Sequence, residues 1–347
     1  MSAAIRLTVA IGSGFSGYIV ELGDAVRLRA PLVILLLLLV ASNLPAASGG
    51  LAAPAQDPIK VLIIDGVNNH DWESTTAANR ATLEQTARFD VDVSTSPRKR
   101  ATRAEWEAWR PDFSAYDVVV SNFNDDCEVR SGCNPLWSAQ TMSDLETFVR
   151  QGGGFVSVHA ADNHDAGWAA YNEMIGVGGW GGRRAGASGS LLRNVGGDWI
   201  ATSPNEGLSG EHGELRPFLV IHDRPEHPIL AGLPTEWMHA PDELYSALRG
   251  PAKNVEVLAH AYSRVTDEAE PMLMLVTYGA GTVFHLPMGH YNDEIEPYGE
   301  SVHCVGFQTV LARGTEFVAT GAVTIGVPAS FPGTEEPVAV DPEPVRW

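Results

Sequence analysis

Apolar runs of strand length, separated by stretches with helical spacing, are the feature that most limits the fold of this chain. In the first half they occupy residues 59–65, 90–93, 116–121 and 155–159. The last of them follows a helical stretch that ends in consecutive glycines. Near-continuous apolar strands separated by helices are typical of a parallel sheet that is covered on both faces. The pattern therefore predicts an α/β domain, a three-layer sandwich with a mainly parallel central sheet.

The second half of the chain is less regular. Residues 176–216 contain many glycines and few periodic apolar positions, so we expect a long functional loop or lid there. From residue 329 the chain is rich in proline and acidic residues, which predicts a poorly ordered tail over 329–347. Further strands are predicted at 218–222, 255–261, 272–276 and 282–286, and a terminal helix at 303–312.

The N-terminal segment predicts export. Residues 32–41 form an unbroken apolar run that is too short to span a bilayer comfortably. Small residues follow and end in Ala53-Pro54-Ala55, which is similar to a signal-peptide cleavage site. We therefore assign residues 1–55 to a signal peptide and leader, and residues 56–328 to the α/β domain. The cleaved protein is expected to be periplasmic or secreted, without a membrane attachment. The alternative is an N-terminal membrane anchor.

The net charge limits the possible partners of the protein, and its cysteines indicate one possible disulfide. A formal net charge of −20 repels phosphate backbones and anionic lipid, so nucleic acid is not expected as a partner. Cys127 and Cys133 bracket a short polar segment, and export permits their oxidation. We expect a disulfide between these two, the alternative being two free thiols in a loop. The remaining cysteine, Cys304, is expected to be buried on a helix.

Polar side chains follow the carboxyl ends of several predicted strands. In an open parallel sheet, ligands bind in the crevice outside those ends. His70 follows the first strand, His159 ends the fourth, and His290 follows a later strand. Taken alone, each histidine is more typical of a capping or core residue. Because three of them share this position, the sequence predicts one ligand site. Asparagines and aspartates lie in the same segments, among them Asn69, Asp71, Asp162, Asn163 and Asn292.

The chemistry of this set leaves several functions open. Neutral imidazoles can act as general bases near neutral pH, and Asp71, Asp162 or Asp242 can orient them. Histidine and aspartate also bind zinc, but no H-E-x-x-H or paired C-x-x-C spacing is present. The zinc signal is therefore weak, and no cofactor or metal ligand is assigned. Tryptophans near these loops can stack on sugar rings or anchor the loops, namely Trp72, Trp168 and Trp180.

Two common motifs give no support to other enzyme classes. Residues 176–181 match G-x-G-x-x-G, but they do not join a strand to a helix, so a dinucleotide site is not predicted. The sequence contains no G-x-S-x-G elbow, so a serine hydrolase of the α/β-hydrolase type lacks its nucleophile.

From about residue 60 to residue 328 the chain resembles the ThuA-like (trehalose utilisation) family. Members of that family are similar to class I glutamine amidotransferases, so the resemblance implies a flavodoxin-like, amidotransferase-like fold. Amidotransferases have a cysteine nucleophile at a strand-to-helix elbow, where this chain has Ser157-Val158-His159-Ala160. Glutamine hydrolysis is therefore excluded. The resemblance rests on short motifs in a fixed order: His70-Asp71-Trp72, residues 158–163, Trp168 with residues 171–176, residues 223–229, Asp242-Glu243-Leu244-Tyr245, and Gly289-His290.

The resemblance implies a role in disaccharide catabolism, on 3-keto sugars that a partner sugar dehydrogenase produces. A keto group acidifies the neighbouring C–H bond, so a histidine or carboxylate base can drive isomerisation or elimination. The ligand is then a small carbohydrate. This interpretation assigns catalysis to His70, His159, Asp162, Glu243 and His290. It assigns substrate binding to Asn69, Asp71, Trp72, Asn163, Trp168, Asp242, Tyr245 and Asn292.

Two other functions stay open at this point. One is a non-catalytic carbohydrate-binding protein that keeps the pocket, and the other is a metal-dependent hydrolase that uses the same histidines. The chain departs from the family pattern at Asn69 and in the insertion that carries Cys127 and Cys133. By composition alone, the adjacent acids Asp242 and Glu243 are typical of a solvated turn, because no predicted strand ends near them.

The mature protein should begin near Gln56, because the predicted cleavage site precedes that residue. N-terminal sequencing of the protein secreted by a bacterial host checks this expectation. Retention of residues 32–41 in the mature chain would instead support the membrane anchor.

Overall fold

Among the residues that the computed structural model describes, 57–125, 135–291 and 300–341, nine strands form one continuous sheet. Three shorter strands form a second sheet in the same part of the chain. The strands in chain order are β1 (Ile59–Asp65), β2 (Phe89–Thr95), β3 (Val118–Ser121), β4 (Gly154–Val158), β5 (Ser190–Val195), β6 (Asp198–Ala201), β7 (Arg216–His222), β8 (Glu236–Asp242), β9 (Arg249–Gly250), β10 (Val255–Ser263), β11 (Glu268–Tyr278) and β12 (Gly281–Leu286).

The large sheet is mixed, with the order β2-β1-β3-β4-β12-β11-β10-β7-β8. Strands β2, β1, β3, β4 and β12 run parallel to one another. From β12 to β8, each neighbouring pair is antiparallel. The expected mainly parallel sheet is therefore correct for only half of the sheet. The physical reason is the short connection between β11 and β12, since parallel neighbours need a crossover of a dozen or more residues.

Helices cover both faces of the sheet, as expected for a three-layer sandwich. Along β1, Val61 and Ile63 face one apolar cluster, while Leu62 and Ile64 face the other. The helices are α1 (Trp72–Glu84), α2 (Arg103–Ala108), α3 (Ala139–Arg150), α4 (Ala169–Ile175), α5 (Glu300–His303) and α6 (Val305–Thr320). Side chains of α1 and α6 belong to the first cluster, and side chains of α2, α3 and α4 belong to the second.

Short polar residues cap the N-termini of three of these helices. Asp71 precedes α1, and its carboxylate accepts a hydrogen bond from the Ser74 amide at 3.0 Å. Thr102 begins α2 with a reciprocal capping box that involves Glu105. Ser138 accepts from the Thr141 amide at the start of α3. Such caps satisfy amide groups that have no partner in the first turn of a helix.

Residues 176–216 are not one long loop. They contain the hairpin of β5 and β6, and β5 also pairs with β9. The hairpin lacks a long apolar run because much of it is exposed or half-buried, so periodicity alone does not reveal it. No helix among the described residues is long and apolar enough to cross a membrane.

The C-terminal tail packs on the domain as far as Asp341, contrary to the expected disorder. The Met238 amide donates to the Gly333 carbonyl at 2.7 Å, and the Val305 amide donates to the Val338 carbonyl at 2.8 Å. The Phe331 ring lies 5.6 Å from the Trp237 ring. The composition of the tail predicted disorder, but its apolar residues, such as Phe331, pack on the domain. Residues 342–347 lie outside the described residues.

Deletion of residues 329–347 should destabilise the domain, because it removes these hydrogen bonds and exposes Trp237. We expect a loss of roughly 2 kcal/mol. For a domain of this size that loss lowers the melting temperature by about 4 °C. Differential scanning calorimetry checks this against a chain that ends at Asp341. Equal melting temperatures for the two truncated chains would contradict the observed packing of the tail.

Candidate functional site

Four polar residues meet at the carboxyl edge of the large sheet. His70 follows β1, His159 follows β4 and His290 follows β12, and these strands are parallel. Glu243 follows β8, which points the same way because successive antiparallel pairings reverse direction an even number of times between β12 and β8. The three histidines were predicted to share a site from their strand ends, and the structure brings them together.

The carboxylate of Glu243 lies at the centre of this group. Its Oε2 atom is 3.5 Å from His70 Nε2, 3.7 Å from His159 Nε2 and 3.4 Å from His290 Nδ1. The ligand atoms of all four residues lie within 4.8 Å of one another. We call this group the His₃Glu cluster: His70, His159, His290 and Glu243.

The spacing of the His₃Glu cluster fits a divalent transition metal. Zinc lies about 2.0–2.2 Å from nitrogen and oxygen ligands, so tetrahedral ligand atoms stand roughly 3.3–3.6 Å apart. The distances from Glu243 to the imidazole nitrogens are close to that value. Among the described residues, buried His159 Nε2 and His290 Nδ1 have no hydrogen-bond partner. A metal ion would bind both of these nitrogens, so the cluster can hold a metal ion.

Neighbouring acceptors orient two of the imidazoles for such a role. His159 Nδ1 lies 2.8 Å from the Pro287 carbonyl, which can only accept, so Nδ1 carries the hydrogen. His70 Nδ1 lies 3.2 Å from Asn68 Oδ1 and donates to it. In both rings the Nε2 lone pair therefore points into the cluster. Metal-binding histidines commonly donate their other ring N–H in this way.

The backbone at His159 is strained, and the strain places its ring in the site. His159 has φ of +44°, in the left-handed region that non-glycine residues rarely adopt, directly after β4. Its ring stacks on Tyr245, with centroids 4.3 Å apart and planes 24° apart. Such strain persists only where the surroundings enforce it, and it concentrates at functional sites.

Asp242 holds the loop that carries His290. Its carboxylate accepts from the Gly289 amide at 2.9 Å and from the His290 amide at 3.3 Å. It also contacts His239 Nε2 at 2.8 Å. Gly289 has φ of +120°, and a Cβ there would lie 2.9 Å from the Phe307 ring, so only glycine fits. Asp242 therefore positions the site residue rather than facing an open crevice.

Burial and charge set the protonation of the cluster. Burial raises the pKa of Glu243, but the three facing histidines outweigh it and hold the pKa well below its usual range. Burial lowers the pKa of His70 to about 4, so this imidazole is neutral at pH 7. Burial also lowers the pKa of His159, yet the carboxylates of Glu243 and Asp242 leave it raised overall. Metal binding needs an ionised carboxylate and neutral imidazoles, so a metal ion would have to displace the proton that the raised pKa favours on His159.

Several predicted site residues have other partners in the structure. Asp162, predicted to be catalytic, lies outside the cluster and contacts buried His285 Nε2 at 3.2 Å. Asp71 caps α1. Asn69 accepts a hydrogen bond from Asn124 at 2.8 Å. Trp168 is buried and stacks on Tyr171.

The remaining predicted residues divide between the surroundings of the cluster and the undescribed segments. Tyr245 is buried against His159, Asn163 is buried, and Trp72 is half-buried as the first residue of α1. Asn292, Cys127 and Cys133 lie outside the described residues. Cys304 is buried, as expected, between α5 and α6.

Sequence reasoning missed two features of the site. It found no strand before Glu243, although β8 ends at Asp242. It also missed His212, whose Nε2 lies 3.6 Å from Glu243 Oε1. His212 follows no predicted strand, so no pattern in the sequence singles it out.

Together, the fold and the site define a mixed α/β domain with a candidate metal centre at the carboxyl edge of its sheet. A family model described as ThuA, trehalose utilisation, matches residues 60–318. The chain therefore belongs to the ThuA family.

Several solved structures are similar to this chain. A ThuA-like protein from Parabacteroides merdae is 34% identical, with a TM-score of 0.74 over 82% of this chain and 99% of that chain. A ThuA-like protein from Bacteroides uniformis is 18% identical, with a TM-score of 0.49 over 80% of this chain and 98% of that chain. The glutaminase domain of Trypanosoma brucei CTPS is 7% identical, with a TM-score of 0.41 over 79% of this chain and 98% of that chain. A search of curated proteins finds no match.

Chelator-treated protein should bind Zn²⁺ or Co²⁺ at the His₃Glu cluster. We expect His290→Ala and Glu243→Gln each to weaken the affinity at least tenfold, about 1.4 kcal/mol, because each removes one ligand. Isothermal titration calorimetry measures the affinity. His227→Asn is the matched control, since His227 packs against Phe317 and is not part of the cluster. Unchanged affinity in both ligand variants would rule out this metal site.

Proposed function

We propose that this protein is a metal-dependent enzyme of carbohydrate catabolism that transfers a proton beside the keto group of a 3-keto sugar. The observation that carries the proposal is the His₃Glu cluster, whose buried or half-buried residues bring their ligand atoms within 4.8 Å of one another. In this function His70, His159 and His290 are metal ligands and not acid–base catalysts. The reaction itself is still the proton transfer expected from the sequence, and the metal dependence is that of the alternative left open there.

The carbohydrate part of the proposal is supported by the family description, trehalose utilisation. Oxidation of a sugar hydroxyl to a ketone acidifies the neighbouring C–H bond, so a disaccharide oxidised in this way can isomerise or eliminate without a strong base. We propose that a sugar dehydrogenase supplies this substrate. Export to the periplasm or the medium, with cleavage of residues 1–55, is part of the same proposal.

The residues of the site have two roles, metal binding and positioning of the His290 loop. A divalent cation, when bound, supplies Lewis-acid polarisation of the keto oxygen and so acidifies the adjacent C–H bond. His70, His159, His290 and Glu243 would hold the cation, and the three histidine side chains are only 1–7% exposed, which limits the access of water. Asp242 fixes the His290 loop through two amide hydrogen bonds.

The strongest support for chemistry rather than simple sugar binding is the number of buried polar atoms that the site keeps without partners. His159 Nε2 and both ring nitrogens of His290 are buried without a hydrogen bond among the described residues. An unpaired buried polar group costs about 1–3 kcal/mol. A protein that only bound sugar through surface hydroxyl contacts would gain nothing from that cost.

Proton NMR in D₂O tests the proposal with methyl 3-keto-α-D-glucopyranoside and, as a comparison, trehalose. We expect metal-loaded protein to exchange the proton beside the keto group or to convert the keto sugar, and to leave trehalose unchanged. Removal of the metal, Glu243→Gln and His290→Ala should each reduce the rate by about tenfold or more. His227→Asn should react at the wild-type rate.

Other outcomes of this experiment point to the other functions. Cleavage of trehalose with the keto sugar untouched would indicate a metal-dependent hydrolase. Saturable binding of either sugar, with no exchange and no product, would indicate a carbohydrate-binding protein. Either result would contradict the proposed reaction.

A further inference from the structure

His212 lies on the open side of the His₃Glu cluster. Its Nε2 atom is 3.6 Å from Glu243 Oε1, whereas the three clustered histidines face Oε2 of the same carboxylate. The His212 side chain is 38% exposed, and those of the other three histidines are 1–7% exposed. His212 is therefore the histidine at this site that a ligand entering from solvent can reach.

The ring of His212 presents a defined nitrogen to the site. Its Nδ1 atom lies 2.9 Å from the Gly213 carbonyl, which can only accept, so Nδ1 carries a hydrogen. Nε2 is then the atom that faces the carboxylate. The ring also lies against Trp180 and Tyr245, with centroid distances of 5.7 and 6.3 Å. An aromatic ring and an imidazole thus flank the same opening.

A buried arginine fixes the segment that carries His212. Arg249, in β9, is fully buried and donates to backbone carbonyls on both sides of the hairpin. These bonds reach Gly189 at 2.7 Å, Pro204 at 3.0 Å and Leu208 at 2.8 Å, and a further bond reaches Glu206. The side chain of one residue thereby holds the chain from 204 to 208 in place.

Backbone hydrogen bonds also fix the chain between the segment held by Arg249 and His212. The Glu211 amide donates to the Ser246 carbonyl at 3.0 Å, and the Ser246 amide donates back at 2.8 Å. Gly210 packs so closely that a Cβ would lie 2.6 Å from the Trp180 amide nitrogen. His212 is the next residue after this bridge and therefore faces Glu243, three residues before Ser246. The segment has the rigidity that a site residue on a loop requires.

We propose that His212 is a further catalytic residue, the base that removes the proton beside the keto group of the substrate; this role rests on the proposed function. Nε2 takes the proton, and the C–H electron pair becomes a carbon–carbon double bond. The carbonyl electron pair moves to oxygen, which gives an enediolate. The imidazolium then returns a proton and regenerates the neutral ring. Return to the same carbon restores the 3-keto sugar. Return to the former carbonyl carbon gives the isomeric 2-keto sugar, with the hydroxyl proton of the enediolate moving from one oxygen to the other.

Replacing His212 distinguishes a proton-transfer role from a role as a fifth metal ligand, because the two roles affect different measured quantities. Loss of a base lowers kcat and leaves metal affinity intact, whereas loss of a ligand lowers the affinity. Because the His212 side chain is more than a third exposed, replacing it should leave the fold intact. Asparagine keeps the polar character of the side chain, and alanine leaves space for an added base.

The experiment compares wild-type protein, His212→Asn, His212→Ala and the control His227→Asn, all loaded with Co²⁺. Calorimetric titration with Co²⁺ gives the affinity, and exchange of methyl 3-keto-α-D-glucopyranoside in D₂O gives kcat and KM. We expect both His212 variants to lose about 100-fold or more in kcat. Their Co²⁺ affinity and KM should stay within about twofold of wild type, and added imidazole should partly restore His212→Ala.

The outcomes separate this role from the function on which it rests. Exchange by His212→Asn at the wild-type rate would overturn the role of His212 alone. A fall in Co²⁺ affinity that matches the fall in kcat would also overturn it, because His212 would then be a ligand. Wild-type protein that binds Co²⁺ and exchanges no proton would contradict the proposed reaction, and with it this role.

Discussion

A half-buried carboxylate surrounded by imidazoles is the interaction on which the rest of the site depends. Glu243 carries its charge at neutral pH because three histidines face it, and their approach would be unfavourable without it. Even so, among the described residues the buried nitrogens of His159 and His290 that face it make no hydrogen bond. Burying polar groups in this way is costly unless a cation, a proton or a metal ion joins them. A metal ion bound there would satisfy the carboxylate and the nitrogens that face it at once, whereas one proton would satisfy only one imidazole.

The mixed sheet is what delivers a carboxylate to the histidines. A wholly parallel sheet of this length would need a crossover helix for each added strand, and the chain instead adds β11, β10, β7 and β8 with antiparallel pairings. After those reversals β8 points in the same direction as β12, so its carboxyl end reaches the same edge. Asp242 then bonds the amides of Gly289 and His290. That carboxylate joins the far antiparallel strand to the loop after β12, and the two halves of the sheet share one site.

The sequence predicted the parts of this arrangement that depend on local pattern. Alternating apolar runs and helices indicated the layers, and the rule for strand ends indicated His70, His159 and His290. Glu243 was found only through the family resemblance, because β8 contains Pro241 and polar residues and has no apolar run. Strand direction in the second half, and the approach of His212, depend on pairings between residues far apart in the chain. Periodicity reports only local structure, so it could not reveal either. Asp162 satisfied the same strand-end rule as the histidines, yet it pairs with His285, which shows that the rule locates segments rather than side chains.

The backbone at His159 explains how the end of β4 presents an imidazole to the site. A strained residue directly after a strand can hold its side chain out of the end of that strand, and here φ of +44° does so for His159. A cysteine there would present a nucleophile, but the surroundings of His159 fit a ligand. The Pro287 carbonyl takes the hydrogen of Nδ1, Tyr245 covers one face of the ring, and Nε2 is left to point at Glu243. Each of these contacts fixes the position of the Nε2 lone pair. The same backbone strain that presents a reactive atom in one protein can therefore present a metal ligand in another.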